Sequence, residues 1–218
     1  MLPLRDENPT SHFPFITILL IVGNIGVFIN SILDIQVFNA NITEYGLVPT
    51  QLMHYPWPAS ATLITSMFIH AGWGHLLGNM LYLWIFGNNI EDTLGMGRFI
   101  FFYLTCGVLA ALCYVATDPA SKVPMVGASG AISGILGAYL ILYPKARVLT
   151  LIFLGFYITM IRIPAMVLLG LWLILQIGSG YFLSAEEAGV AWFAHISGFL
   201  AGMILIYPFK FIPGARKR

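Results

Sequence analysis

Apolar and polar positions divide this chain into long apolar runs separated by short polar breaks. Runs at 15–33, 70–88, 98–116, 129–143, 163–183 and 190–209 have the lengths expected of helices in a hydrocarbon layer about 30 Å thick. Punctuation falls between them: Pro14 opens the first run, Gly87-Asn88-Asn89-Ile90-Glu91-Asp92 closes the second, and Pro144-Lys145-Ala146-Arg147 stops the fourth. The segment from Asp34 to about Pro58 reads as a loop, rich in turn residues (Asn39, Asn41, Gly46, Pro49, Pro56), with Tyr45, Tyr55 and Trp57 suited to a membrane interface. The apolar stretch 148–161 is too short for a span, and its length predicts an interfacial or re-entrant segment. The expected architecture is therefore all-α, one polytopic domain over 1–218 with six transmembrane helices.

Composition strengthens this picture. Of 218 residues 59% are hydrophobic and 9% charged, with a mean hydropathy of +0.86, far from the roughly 25% charged content of soluble domains. A net charge of +1 offers no electrostatic case for nucleic acid, so the basic residues are better read as topology signals. With six spans and a cytoplasmic N-terminus, Arg5, Arg98, Lys145, Arg147, Arg162, Lys210, Arg216, Lys217 and Arg218 all fall inside, and Lys122 alone falls outside. Counting 148–161 as a seventh span would destroy that asymmetry. Both termini are then expected on the cytoplasmic side. Met1 to Thr10 is polar and lacks the pattern of a cleaved signal. Cys106 and Cys113, about 10 Å apart along one helix, are beyond disulfide reach of each other.

Candidate chemistry centres on Val126-Gly127-Ala128-Ser129-Gly130-Ala131-Ile132-Ser133-Gly134, where a polar loop enters the fourth apolar run. A serine between glycines at a helix start has an accessible hydroxyl and nearby free backbone N–H groups. Glycine and serine also mediate close packing of membrane helices, and the local motif alone does not separate the two readings. Depth helps to do so. Counted at 1.5 Å per residue from the inner helix ends, Ser129 lies about 24 Å above Lys145, His195 about 22 Å above Lys210, and His75 about 24 Å above Glu91. Asn79 lies one turn deeper than His75 and on its face, at about 18 Å.

Polar groups within a membrane are expensive and tend to face one another or a wet cavity. A serine, a histidine and a His/Asn pair at one level are the parts of a nucleophile, its base and an oxyanion hole. Gly130, Gly134 and Gly137 lie near one face of the fourth span, and Gly198 and Gly202 share a face with His195 on the sixth. Backbone contact between these two faces would bring the imidazole to the hydroxyl. Ordinary interhelical hydrogen bonding remains open for each polar residue taken singly. There is no His-Glu-x-x-His, which speaks against a metalloprotease, and no intramembrane acid accompanies the histidines as a proton relay would require.

Taken together, these residues resemble a bacterial rhomboid intramembrane serine protease. The matching motifs are Gly127-Ala128-Ser129-Gly130, then His195-Ile196-Ser197-Gly198 continuing to Gly202, and His70 with His75-Leu76-Leu77-Gly78-Asn79. The resemblance implies a Ser129/His195 dyad without a third acid and an oxyanion hole built from the Ser129 backbone N–H, His75 and Asn79. It implies no cofactor and no metal, and as partners the lipid bilayer and transmembrane segments of protein substrates, cut near the outer face. The fifth span, with Trp172, Tyr181 and Phe182, and the loop 185–192 are candidates for a lateral gate, with lipid-facing aromatics as the other reading. Two features depart from the family pattern. Pro58-Ala59-Ser60-Ala61-Thr62 stands where some relatives carry Trp-Arg, and Ser133 stands where some carry a tyrosine that stacks on the histidine. Support for His195 is therefore expected to differ from that in those relatives.

Overall fold

A computed structural model describes residues 1–155, 157–182 and 192–211. A short strand β1 (Leu2–Asp6) precedes the long helix α1 (Phe15–Ile32). Then come α2 (Ile35–Tyr45) and the short helices α3 (Pro49–His54), α4 (Pro56–Ala59) and α5 (Thr62–Thr65). Helix α6 (Trp73–Tyr82) runs through a wide π-helical turn, Leu83–Gly87, into α7 (Asn88–Leu94). Helices α8 (Met96–Thr117) and α9 (Ser129–Leu142), strands β2 (Arg147–Leu154) and β3 (Tyr157–Pro164), and helices α10 (Ala165–Phe182) and α11 (Trp192–Phe211) complete the chain. Among the described residues α1, α8, α10 and α11 are long and apolar enough to cross a membrane, and α9 is a shorter apolar helix.

The all-α expectation needs correction. In place of the interfacial or re-entrant segment expected at 148–161 stand β2 and β3, which with β1 form a three-stranded antiparallel sheet, ordered β1-β2-β3. Length excluded a span there, but Val148, Thr150, Ile152, Ile158, Thr159, Ile161 and Ile163 are β-branched and suit a pleated surface. Gly155, at φ 62°, supplies the left-handed backbone of the turn between β2 and β3. The fifth helix accordingly starts at Ala165, because Ile163 and Pro164 belong to β3. The segment 34–58 is not an open loop either, since α2 to α4 occupy most of it. Asp34 caps α2 by accepting a hydrogen bond from the Gln36 N–H, and Pro49 and Pro56 sit at first helical positions, where a missing N–H costs nothing. The second apolar run becomes helical at Trp73, and ends past Gly87 at Leu94, where Gly95 (φ 78°) terminates it.

At the centre stands α9, every residue of which from Ala131 to Tyr139 is buried. Its glycines explain how neighbours come so close. A methyl group at Gly202 would overlap the Gly134 carbonyl oxygen, one at Gly198 that of Gly130, and one at Gly137 that of Phe199. The α9 and α11 backbones therefore touch along three successive turns.

The end of the bundle away from Ser129 is fastened by buried carboxylates. Helix α1 has no capping side chain of its own. Instead the Ile16 and Thr17 N–H groups each donate to the Glu91 carboxylate at 2.8 Å, and the Thr17 hydroxyl adds a third bond at 2.7 Å. Asp92 lies 2.6 Å from His12, and Asp6 accepts from the Tyr139 hydroxyl (2.6 Å) and the Asn89 amide (2.7 Å). Burial raises the Asp6 carboxyl above its ordinary range in spite of those bonds.

Two outcomes are expected in thermal unfolding of the detergent-solubilised protein. Glu91→Ala leaves two backbone donors and a hydroxyl without their acceptor and should cost about 2–4 kcal/mol, read as a clear fall in Tm. Gly202→Leu inserts a side chain where the Gly134 carbonyl stands and should cost about 3 kcal/mol or more. Wild-type Tm in either variant would refute the corresponding contact.

Candidate active site

The approach to α9 is held before the helix begins. Leu47 and Met125 exchange backbone hydrogen bonds at 2.9 and 2.8 Å, and the Gly127 N–H donates to the Ser66 carbonyl at 2.8 Å. Gly127 has φ 115°, which disfavours any side chain, and a Cβ there would meet the His75 ring at about 2.5 Å from Nε2. Ser129 follows as the first residue of α9, so its N–H belongs to the first-turn donors that have no acceptor within the helix.

On α11, His195 presents Nε2 to the Ser129 hydroxyl at 2.7 Å. Other nearby hydroxyls are committed elsewhere: Ser133 donates to the Ser129 carbonyl at 2.7 Å, and Ser197 to that of Phe193 at 2.7 Å. The opposite ring nitrogen of His195, Nδ1, lies 2.7 Å from the Gln176 Oε1 of α10. A carbonyl oxygen only accepts, so in this arrangement Nδ1 carries the proton and Nε2 is free to accept from serine. Trp172, one turn before Gln176, inclines its ring to the imidazole at 35° with centroids 6.1 Å apart, and packs on Phe199. Trp192 meets the imidazole edge-on at 6.4 Å.

These groups open into a cavity of about 590 Å³ lined by Ser129, His195, Gln176, His75, Asn79 and Gly127. Asn79 is 7% exposed, and its amide nitrogen has no hydrogen-bond partner among the described residues. It lies close to Gly127, as does His75 Nε2. His70, 2% exposed, backs His75 edge-on with ring centroids 5.1 Å apart. The cavity thus gathers a hydroxyl with an adjacent base and, on the other side, unused donors able to receive a developing negative charge.

Ser129, His195, His75 and Asn79, singled out in the sequence, line this one cavity, with His70 behind His75, and the glycines Gly130, Gly134, Gly198 and Gly202 form the adjoining helix contact. Gln176 is the residue that sequence reasoning missed. Its signal was a lone amide in an otherwise apolar run, four positions after Trp172 and so on the same face. Trp172, read as a gate or lipid-facing aromatic, packs on His195, whereas Tyr181 and Phe182 are exposed. The remaining gate candidate, the loop 185–192, lies outside the described residues except for Trp192, as does the basic tail Arg216, Lys217 and Arg218.

Residues 58–210 match the model of the Rhomboid domain family. The chain is 32% identical over 167 residues to Rhomboid-like protein 11, chloroplastic, of Arabidopsis thaliana, covering 75% of this chain and 57% of that protein. It is 33% identical over 141 residues to Rhomboid protease GluP of Bacillus subtilis (strain 168), covering 64% and 24%. Similarity to RHOMBOID-like protein 12, mitochondrial, of Arabidopsis thaliana is 30% over 201 residues, covering 79% and 56%. The chain therefore matches only about a quarter to three-fifths of the length of these relatives.

Proposed function

The chain belongs to the rhomboid family, and from that membership and the cavity geometry we propose that it is an intramembrane serine endopeptidase acting through a Ser129/His195 dyad. The observation that carries this reading is the 2.7 Å contact between Ser129 Oγ and His195 Nε2 beside a buried Asn79 whose amide nitrogen has no partner among the described residues. As a transmembrane segment of a protein substrate unwinds locally into the cavity, the Ser129 hydroxyl attacks the scissile carbonyl carbon and its proton passes to His195 Nε2. The oxyanion so formed accepts hydrogen bonds from the Ser129 N–H, the Asn79 amide and His75. Collapse of this intermediate breaks the C–N bond as His195 returns the proton to the leaving amine. Water then attacks the acyl-enzyme with His195 as base, releasing the second product and restoring the serine. No cofactor or metal enters this scheme. Gly127, Gly130, Gly134, Gly198 and Gly202 act by letting backbones approach, so that nucleophile and base meet.

The chain is a multi-pass membrane protein, and we place it in the plasma (inner) membrane with its termini on the cytoplasmic side. Arg5, Arg147 and Arg162 lie on adjoining strands of the sheet, at the C-terminal end of α9, while Ser129 begins that helix. By the positive-inside rule the sheet end is cytoplasmic and the cavity opens toward the outer face.

A catalytically inert relative that only binds transmembrane clients would keep the same helices, so the tests must read turnover. In proteoliposomes containing a fluorogenic transmembrane peptide, Ser129→Ala should abolish cleavage with Tm nearly unchanged, while Ser133→Ala should retain it. Cleavage that survives Ser129→Ala sinks the nucleophile assignment. Asn79→Ala should lower kcat on the order of 10²–10³-fold with little change in KM, because its bond is made chiefly in the tetrahedral intermediate. Unchanged kcat with a lowered Tm would reduce Asn79 to a helix tie.

A further inference from the structure

We propose that Gln176 is a positioning residue that makes the dyad a Ser129–His195–Gln176 relay, its amide oxygen holding His195 in the tautomer and orientation that lets Nε2 act as base. The proposal rests on the dyad reading and goes beyond it, since that reading leaves the second nitrogen of His195 without a role. An imidazole can take the serine proton only if Nε2 is bare, which requires the resting proton on Nδ1 and a group to keep it there. Among the described residues the ion pairs do not include His195, so no carboxylate serves this purpose through one. Gln176 Oε1, at 2.7 Å from Nδ1, is the acceptor in place.

Other features narrow the assignment. Trp172 on the same helix and Trp192 on α11 flank the ring and restrict its tilt, but neither offers an acceptor; an indole N–H only donates. Ser133, at the position one turn beyond the nucleophile, is spent on the Ser129 carbonyl and does not reach the imidazole. Rotation of His195 about its ring axis is therefore opposed by one polar contact on each nitrogen, Ser129 on one side and Gln176 on the other. When His195 becomes an imidazolium, the Nδ1–H···O bond strengthens, so the amide dipole favours the charged intermediate as well as the resting tautomer. The amide is neutral and so, unlike an aspartate, brings no extra charge into the membrane interior.

The full-length protein, purified and reconstituted with the fluorogenic transmembrane peptide, provides the test. Gln176→Met keeps the side-chain length and removes the acceptor; Gln176→Glu keeps an oxygen at the same reach. Gln176→Met should lower kcat on the order of 10- to 100-fold with KM and Tm little changed, and slow labelling of Ser129 by a fluorophosphonate probe by a similar factor. Gln176→Glu should hold kcat to within roughly threefold of wild type, since a charged or neutral carboxyl oxygen can still accept. Independently of turnover, ¹⁵N NMR of the imidazole in the Ser129→Ala background should show Nδ1 protonated, and the Gln176→Met change should mix the two tautomers. Full kcat in Gln176→Met, an equal loss in Gln176→Glu, or a His195 protonated on Nε2 with Gln176 intact would overturn the relay while leaving the dyad standing. A wild type that neither cleaves nor labels would overturn the dyad reading, and the relay with it.

Discussion

The contact on which the arrangement depends is the backbone touch of α9 and α11, where carbonyl oxygens of one helix occupy the space that side chains would fill on the other. Apolar burial gives helices no preference for one another over lipid, so association in a bilayer depends on close packing and polar contact. Glycine at 130, 134, 137, 198 and 202 provides the first, and the Ser129–His195 bond sits at the top of the same seam as an instance of the second. Because His195 precedes Gly198 and Gly202 by three and seven residues, the face that touches α9 is also the face that carries the imidazole. Packing and chemistry are thus specified by one periodic pattern.

A second constraint is the cost of leaving a buried donor unmade, on the order of 1–3 kcal/mol for an amide. Asn79 brings such a donor to the cavity, its amide nitrogen without a partner among the described residues, and Gly127 is held in a left-handed conformation next to it. Such groups persist when surrounding structure determines them. Here the Ser66 carbonyl holds Gly127, the Leu47–Met125 bridge holds the preceding loop, and His70 backs the neighbouring imidazole. In the proposed reaction the missing partner is an oxyanion that exists only after attack, which is where an unused donor stabilises most. The carboxylates Glu91 and Asp92 follow the opposite logic at the far end: both are buried and both are paired, fixing the N-terminal arm to the bundle.

Much of this was legible in residue spacing. Apolar run length located the long helices to within a few residues, and spacing singled out Ser129, His195 and His75, which line one cavity. Three things escaped. The hairpin of β2 and β3 was judged by length and hydrophobicity, when its β-branched alternation and Gly155 were the informative features. Helices α3 and α4 were hidden by prolines that sit at first-turn positions, where they favour a helix start. Gln176 was overlooked because an uncharged amide barely disturbs hydropathy, although the replacement of a stacking residue by Ser133 had already required that something else support His195.

That substitute comes from α10, and the distribution of burial along this helix gives the choice a consequence. Its buried residues are Ala165, Leu168 and Leu169, all in the first two turns beside the sheet. Beyond them Trp172 and Leu173 pack against the core, Gln176 reaches His195 and Gly180 lies against Trp192, while Leu175, Ile177, Tyr181 and Phe182 are exposed. Among the described residues, a helix packed at one end and less buried at the other resists displacement least in its less buried half. The polar contact that orients the base therefore belongs to the more weakly held half of α10, at the flank of the cavity. Any sideways movement of that half that admitted a substrate segment would draw the Gln176 oxygen away from His195, and its return would restore the tautomer that attack requires.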